Sequence, residues 1–413
     1  MNNNTLQFGF PLTNNDEGKK DGWDDIILKK YTAHHLIDMD KNIPKKLSTP
    51  EYIVDFSRDP LGDLIINLNF NETLSVERKK FEKNTVPYSD NIIILYIDSI
   101  SRNNALRKLK KTINFIEKFI TYKGGYNKNF PEENFHSFQF FKYHSLKGYT
   151  AENFPPLFYG NYQKTKGLIR ITKYLKENGY ITGLSIDACQ KDNTRTYHNL
   201  SNEELYDHQL ALCDPNVAKL NSPRKKCLYG NLNSHYLYGY IKQFWTKYKN
   251  NRKFSTIISN EAHEGTLESI KYVDYIISDF LNSLFNDGLL NSTSIFLLSD
   301  HGTGMPSIYY LSDFFQIERR FPMLFIIIND RKNIGYNQQY INIHKNQQSF
   351  ITGFDIYNTI CNLIYGDNYI NIPNKDDYHD TPRSPIGKSL FEEINQKKRH
   401  PRNYFGMDKG FCI

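Results

Sequence analysis

Three stretches of the sequence end a short apolar run on an acid or an imidazole. Residues 91–97 lead into Asp98, residues 294–299 into Asp300 and His301, and residues 254–259 into Asn260, Glu261, Ala262, His263 and Glu264. Carboxylate oxygens and imidazole nitrogens together suit a divalent cation, zinc or manganese first and calcium third. Asp300 and His301 are neighbours, so both reach one ion only if the backbone turns sharply there. Gly302 is expected to supply that freedom. A single strand-end aspartate does no more than cap the next helix or loop; three strand ends aimed at one edge make a stronger case.

The elements that position these groups are set by the same runs. Short β-branched or aromatic stretches read as strands covered on both faces, at 91–97, 180–186, 254–258 and 294–298, with a fifth at 323–328. Between them lie helical patterns. One runs over 168–178 and stops at Asn178-Gly179; another runs over 266–286, with an apolar face at Ile270, Val273, Ile276, Ile277, Phe280, Leu281 and Leu284. Alternating strands and helices predict an α/β fold with a parallel sheet. Ligands of such sheets sit beyond the carboxyl ends of the strands, where the three acidic stretches begin. Asp187 also comes after a strand but reads equally as loop chemistry, and Asp355 caps a helix continuing through Ile356, Ile360 and Leu363. Shorter strand-like pieces, such as 64–70, precede the main alternation.

At 413 residues the chain can bury one large core, or one large and one small domain, and 39% hydrophobic with 15% aromatic residues argues for folding. The charge of +7 is spread through an Asn- and Lys-rich chain and gives no reason to expect a nucleic-acid partner. No apolar run approaches the roughly 20 residues of a membrane span. The start at Met1 lacks the basic and apolar regions of a signal peptide, which taken literally means a soluble, unexported protein. Sequons at Asn3, Asn71, Asn199 and Asn291 point instead to the secretory pathway, as does a loose cluster of Cys189, Cys213 and Cys227. The compartment stays open.

Asp300-His301-Gly302 after a buried strand resembles the metal-binding signature of the alkaline phosphatase superfamily, which includes sulfatases, nucleotide phosphodiesterases and phosphoethanolamine transferases. Ile97-Asp98-Ser99 is similar to the family's first metal ligand. The segment from His144 to Thr150, continued by 151–160, resembles its nucleophile segment, and Glu318-Arg319-Arg320-Phe321-Pro322-Met323 the motif before its next core strand. Residues 354–360 and 387–391 match late segments of sulfatase-like members. These pieces run in family order over most of the chain. The nearest branch is a eukaryotic sulfatase-like group known as a domain of unknown function (type 229), whose members often end in a Cys-containing tail like Phe411-Cys412-Ile413. The resemblance implies a three-layer α/β/α sandwich around a mostly parallel sheet, with a smaller C-terminal α+β portion. It divides the chain into a polar extension at 1–46, a catalytic domain at 47–395 and a tail at 396–413.

Carried over residue by residue, the resemblance implies that Asp98, Thr150, Asp300 and His301 bind one divalent ion and that Thr150 is the nucleophile. A threonine hydroxyl is a poor nucleophile near neutral pH, and a metal lowers its pKa and aims it. The expected course is a phospho-threonine intermediate, then transfer to water or an alcohol. Without chemistry, Thr150 would be a helix cap, and Pro155 and Pro156 predict a short or irregular helix there. Sulfatases convert a Cys or Ser to formylglycine, which Thr150 cannot become. This favours phosphate or phosphodiester over sulfate esters. A second metal set is only partly present. His263 with Glu261 or Glu264 is the best cluster and His379 a late candidate, so the preferred version is one metal, with His263 holding the substrate or protonating the leaving group. His144 and Lys147 either contact substrate oxygens or sit in a solvated loop. The substrate would be a small-molecule, glycan or lipid-headgroup ester. The alternative from another class is a catalytically inactive sulfatase-like binding protein or scaffold. A fold built on a strand-end Asp nucleophile is disfavoured, because Asp98 has no second acid two positions on.

Overall fold

The run at 91–97 becomes the middle of a sheet, with every residue buried. In the computed structural model the described residues are 46–48, 52–55, 65–120, 135–161, 171–187, 206–212, 227–228, 231–264, 267–303, 313–329, 338–373, 382–395 and 399. Strands there are β1 (Lys46–Ser48), β2 (Tyr52–Asp55), β3 (Ile65–Leu68), β4 (Asn91–Ile97), β5 (Phe135–Gln139), β6 (Ile181–Ile186), β7 (His208–Ala211), β8 (Cys227–Leu228), β9 (Asn231–Leu232), β10 (Lys253–Ser259), β11 (Thr293–Leu298) and β12 (Leu324–Asn329). The α-helices are α1 (Glu72–Phe81), α2 (Arg102–Lys108), α3 (Lys110–Glu117), α4 (Thr150–Tyr159), α5 (Ile171–Glu177), α6 (Asn233–Lys247), α7 (Asp274–Asn286), α8 (Asp313–Arg320), α9 (Gln338–Asn346) and α10 (Gly353–Tyr365).

Seven strands form the main sheet in the order β5-β12-β11-β4-β10-β6-β7. The neighbours β11, β4, β10, β6 and β7 run parallel, while β12 is antiparallel to both β11 and β5. The fold is α/β, and the five expected strands are all present. A small antiparallel sheet, β1-β2-β3, lies outside the main one.

Alternation along each central strand feeds two separate cores, which is why the runs look continuously apolar. Ile93, Leu95 and Ile97 of β4 join Ile295 and Leu297 of β11 and side chains of α2, α3, α6 and α7. Ile92, Ile94 and Tyr96 turn the other way, onto Phe154, Leu157 and Phe158 of α4, Leu175 of α5 and Ile356 and Ile360 of α10. Helices thus cover both faces of the sheet. The C-terminal residues belong to the same core: α10 packs on α4, and Leu390 and Phe391 fill the second cluster. Truncating any of these isoleucines to alanine should cost roughly 3 kcal/mol.

Two expectations about helices are refined. The pattern at 266–286 splits into a 3₁₀ turn, Ser269–Tyr272, and then α7. Asp355 is the third residue of α10, and its carboxylate accepts from the Thr352 backbone in a capping box. No helix among the described residues is long and apolar enough to cross a membrane. The sequons at Asn3 and Asn199, and Cys189 and Cys213, lie outside the described residues. Asn71 and Asn291 are exposed.

Candidate metal centre and nucleophile

Strand register sets the site. Leu298 of β11 pairs with Tyr96 of β4, so two residues on Asp300 stands beside Asp98. On the other flank Ser259 of β10 pairs with Ile97, and the Asp98 N–H donates to the Ser259 carbonyl at 2.9 Å. Three strand ends therefore share one edge, as their sequence requires. Asp98, Asp300 and His301 bring their ligand atoms within 4.8 Å of one another, and all three side chains are buried. His301 Nε2 is 3.8 Å from Asp98 Oδ1 and 3.4 Å from Asp300 Oδ2.

Thr150 completes the group from a distant segment. Its Oγ1 lies 3.3 Å and 3.4 Å from the two Asp98 oxygens and 3.2 Å from His301 Nε2. Thr150 is the first residue of α4. The cap position is Tyr149, which makes no side-chain capping bond, so the hydroxyl faces the cluster instead of the helix end. Asn153, one turn on, accepts from the Leu146 and Lys147 N–H groups and donates to the Lys147 and Tyr149 carbonyls. That stitching fixes the loop ahead of the threonine. The helix spans 10 residues despite Pro155 and Pro156, and ends at Gly160 with φ of 66°.

The sharp turn at the ligands has a different source from the expected one. Gly302 is not among the residues with positive φ; Ser99 is, at 64°. A left-handed serine is uncommon and carries strain of order 1 kcal/mol. It lets one residue serve both acids, its N–H donating to Asp300 Oδ1 at 3.4 Å and its Oγ to Asp98 Oδ1 at 3.0 Å. Gly302 is needed for close approach, because a Cβ there would collide with the Glu318 carbonyl.

The donor set fits a divalent cation. His301 Nδ1 lies 2.6 Å from the Gly302 carbonyl, so a proton held there leaves the Nε2 lone pair facing the acids. Asp300 Oδ2 is buried without a hydrogen-bond partner. Burial pushes the Asp300 carboxyl pKa up, opposed by His301 and reinforced by the Asp98 charge. Two acids crowded in a buried place call for a positive charge between them.

The other expected residues fall elsewhere. His263 is exposed on the turn after β10, its N–H donating to the Asn260 carbonyl, and it stands outside the Asp98 group. Glu264 turns its Oε1 to the Glu268 and Ser269 N–H groups and so organises the adjoining turn. Glu261 is buried with Ser234 Oγ at 3.4 Å. His144 is not in a solvated loop: its ring is buried against Phe321 and Phe350, and burial pushes its pKa down to about 4. Lys147 is part-exposed and paired with Glu152 at 3.3 Å. Asp187 accepts from the Asn260 N–H at 2.9 Å. His379 lies outside the described residues. The sequence names Ser99 and Arg319 only as members of motifs, and the supporting roles of Ser99, Asn153 and Arg319 come from the fold. The run Leu146-Lys-Gly-Tyr-Thr150-Ala-Glu-Asn153 offers a weak signal for Asn153 alone, a side chain able to bond its own preceding loop.

A family model described as "Protein of unknown function (DUF229)" matches residues 66–413. No curated protein matches the chain. Among solved structures, the chain is similar to a protein in the alkaline phosphatase superfamily from Vibrio parahaemolyticus, at 13% identity and a TM-score of 0.49, covering 79% of this chain and 80% of that one. It is also similar to the lipoteichoic acid synthase LtaP from Listeria monocytogenes, at 12% identity and 0.45, covering 76% and 85%. A third is the C-terminal periplasmic domain of EcEptC from Escherichia coli, at 10% identity and 0.44, covering 78% and 96%.

Proposed function

The chain belongs to the family described as protein of unknown function (DUF229), and from that premise and the site's geometry we propose that it is a metal-dependent ester hydrolase or transferase of the alkaline phosphatase type, with Thr150 as nucleophile. One observation carries the reading. The Thr150 hydroxyl meets Asp98 and His301 at 3.2–3.4 Å across 52 and 151 residues of sequence, without capping its own helix.

Asp98, Asp300 and His301 would hold the ion, zinc or manganese on the chemistry of the donors. When bound, a divalent ion lowers the pKa of a coordinated hydroxyl and offsets charge on a transferred phosphoryl group. His301 keeps its proton on Nδ1 against the Gly302 carbonyl, leaving Nε2 as a donor of electrons. The Thr150 hydroxyl proton has Asp98 as acceptor. Thr150 Oγ1 attacks phosphorus, the bond to the leaving oxygen breaks with its electron pair, and a phospho-threonine remains. Thr150 opens α4, so the helix's amino end favours the negative charge of that group. Attack by water or an acceptor alcohol then releases Thr150. His263, one strand across, is the candidate for holding substrate or protonating the leaving group. We take residues 47–395 as the catalytic unit, and small-molecule, glycan and lipid-headgroup esters as the substrate class, phosphate or phosphodiester ahead of sulfate. A scaffold without turnover would have no need for all four groups, which favours the enzyme reading.

The test is metal content together with a side-by-side screen of phosphate monoesters, diesters and sulfates. Purified protein should hold about one transition metal per chain, and Asp300→Ala should lose both the metal and the turnover. Unchanged metal content in that variant defeats the assignment.

A further inference from the structure

One residue outside the proposed ligand set touches both halves of the site. The Arg319 carbonyl, at the end of α8, accepts from the Gly302 N–H at 2.8 Å, and Gly302 in turn accepts from His301 Nδ1. The Arg319 guanidinium reaches the other way, donating from Nη2 to the Gly148 carbonyl at 3.1 Å and lying 5.4 Å from the centre of the Tyr149 ring. Gly148 and Tyr149 are the two residues before Thr150. Both glycines are required by this one segment. A Cβ on Gly148 would collide with the guanidinium, and a Cβ on Gly302 would collide with the Glu318 carbonyl.

The segment itself is held firmly. Glu318 is buried, ion-paired to Arg107 at 2.8 Å, and accepts from Ser101 Oγ at 3.0 Å. The Arg102 N–H donates to the Phe321 carbonyl, and Ser101 bridges to Pro322. The end of α8 is thereby fixed to the start of α2, just beyond the Asp98 strand end.

We propose that Arg319 is a positioning residue that sets the separation of Thr150 from His301, through the Gly148 carbonyl on one side and the Gly302 amide on the other. This rests on the reading of Thr150 as nucleophile. Displacing a nucleophile by about 1 Å costs on the order of 100-fold in rate. Loss of the guanidinium releases the Gly148 carbonyl and leaves the loop to the Asn153 contacts at Lys147 and Tyr149, while the backbone contact to Gly302 remains, so the threonine shifts and Asp98, Asp300 and His301 stay.

Wild type, Arg319→Ala and Arg319→Lys decide it. Each is assayed with Mn²⁺ on 4-nitrophenyl phosphate and bis(4-nitrophenyl) phosphate, and each is labelled with ¹³C at the threonine methyls. In Arg319→Ala, kcat should fall by about 30-fold or more with KM within about twofold. Mn²⁺ affinity should stay within about threefold of wild type, since Asp98, Asp300 and His301 keep their places. Arg319→Lys, with one donor able to reach the carbonyl, should regain part of kcat. In metal-free protein the Thr150 methyl resonance should shift in Arg319→Ala. A wild-type kcat in the alanine variant, a rise in KM in place of the fall in kcat, or an unmoved methyl resonance each overturns the proposal. An inactive wild type defeats only the catalytic reading, and the methyl resonance still judges Arg319.

Discussion

Thr150 Oγ1 and His301 Nε2 stand 3.2 Å apart, one at the start of a helix and the other just past the end of a strand, 151 positions apart in sequence. Replacing the hydroxyl should therefore be decisive. Thr150→Ala should lower turnover at least about a thousandfold, while Thr150→Ser keeps a measurable fraction. Substrate-labelled protein trapped in acid should carry its label on Thr150. Recovery of the label on another residue would remove the threonine from the mechanism.

The two glycines beside the site should respond differently to a methyl group. At Gly302 the obstacle is the Glu318 main chain, which cannot move without dragging α8, so Gly302→Ala should cost about 3 kcal/mol and weaken metal binding. At Gly148 the obstacle is the far end of a flexible side chain. Gly148→Ala should cost about 1 kcal/mol yet lower kcat, because the guanidinium is pushed off its carbonyl. Urea melts and metal titrations of the two variants check the contrast.

Lys253 lies at the opposite end of the sheet, 2% exposed, its Nζ donating to Asn91 Oδ1 and the Asn251 carbonyl above the Trp245 ring. Burial holds its pKa down from 10.5 to about 7. The unfolded chain then binds the proton more readily than the folded one, so the cost grows as pH falls from about 10.5 to about 7 and is constant below. Near pH 7 that cost is about 4 kcal/mol, and orphaning two acceptors costs about 1 kcal/mol each. Lys253→Met should therefore stabilise by on the order of 2 kcal/mol at pH 7, and the gain should fade as pH approaches 10. A gain that grows with pH would contradict the assignment.

Two buried histidines should govern acid stability. Burial pushes the pKa of His136, on β5 against Tyr340, and of His144 down to about 4. Both must stay neutral to remain packed. Their contribution is full above about pH 6.5 and is lost as pH falls toward 4, by up to about 3 kcal/mol each. Chemical denaturation between pH 7 and 4 should show this decline, and His136→Phe should remove about half of it.

The central strands are legible in the sequence because both their faces are buried, so their apolar runs are unbroken and end on Asp98 and Asp300. The outer strands are not. β5 reads Phe-His-Ser-Phe-Gln and β7 His-Gln-Leu-Ala, too short and polar to stand out. The reversed direction of β12 leaves no local trace either, since alternation looks the same from both ends. At the site, the strand-end acids and the threonine segment can be read from local pattern. The supports cannot. Ser99 in a left-handed turn and Arg319 reaching Gly148 across 171 residues depend on contacts that no neighbouring residue encodes. Gly302 is conspicuous in the sequence but for another reason than the expected one: packing of α8 over it, and not a turn, excludes a side chain.

The pairing of β11 with β4 sets Asp300 alongside Asp98 by main-chain register alone. The mutual repulsion of the two acids is thus overcome when the strands zip together during folding. A cation arriving later has no loop to gather and no ligand to recruit, so its full attraction appears as affinity. Binding of a divalent ion between the two acids should appear as added resistance to heat.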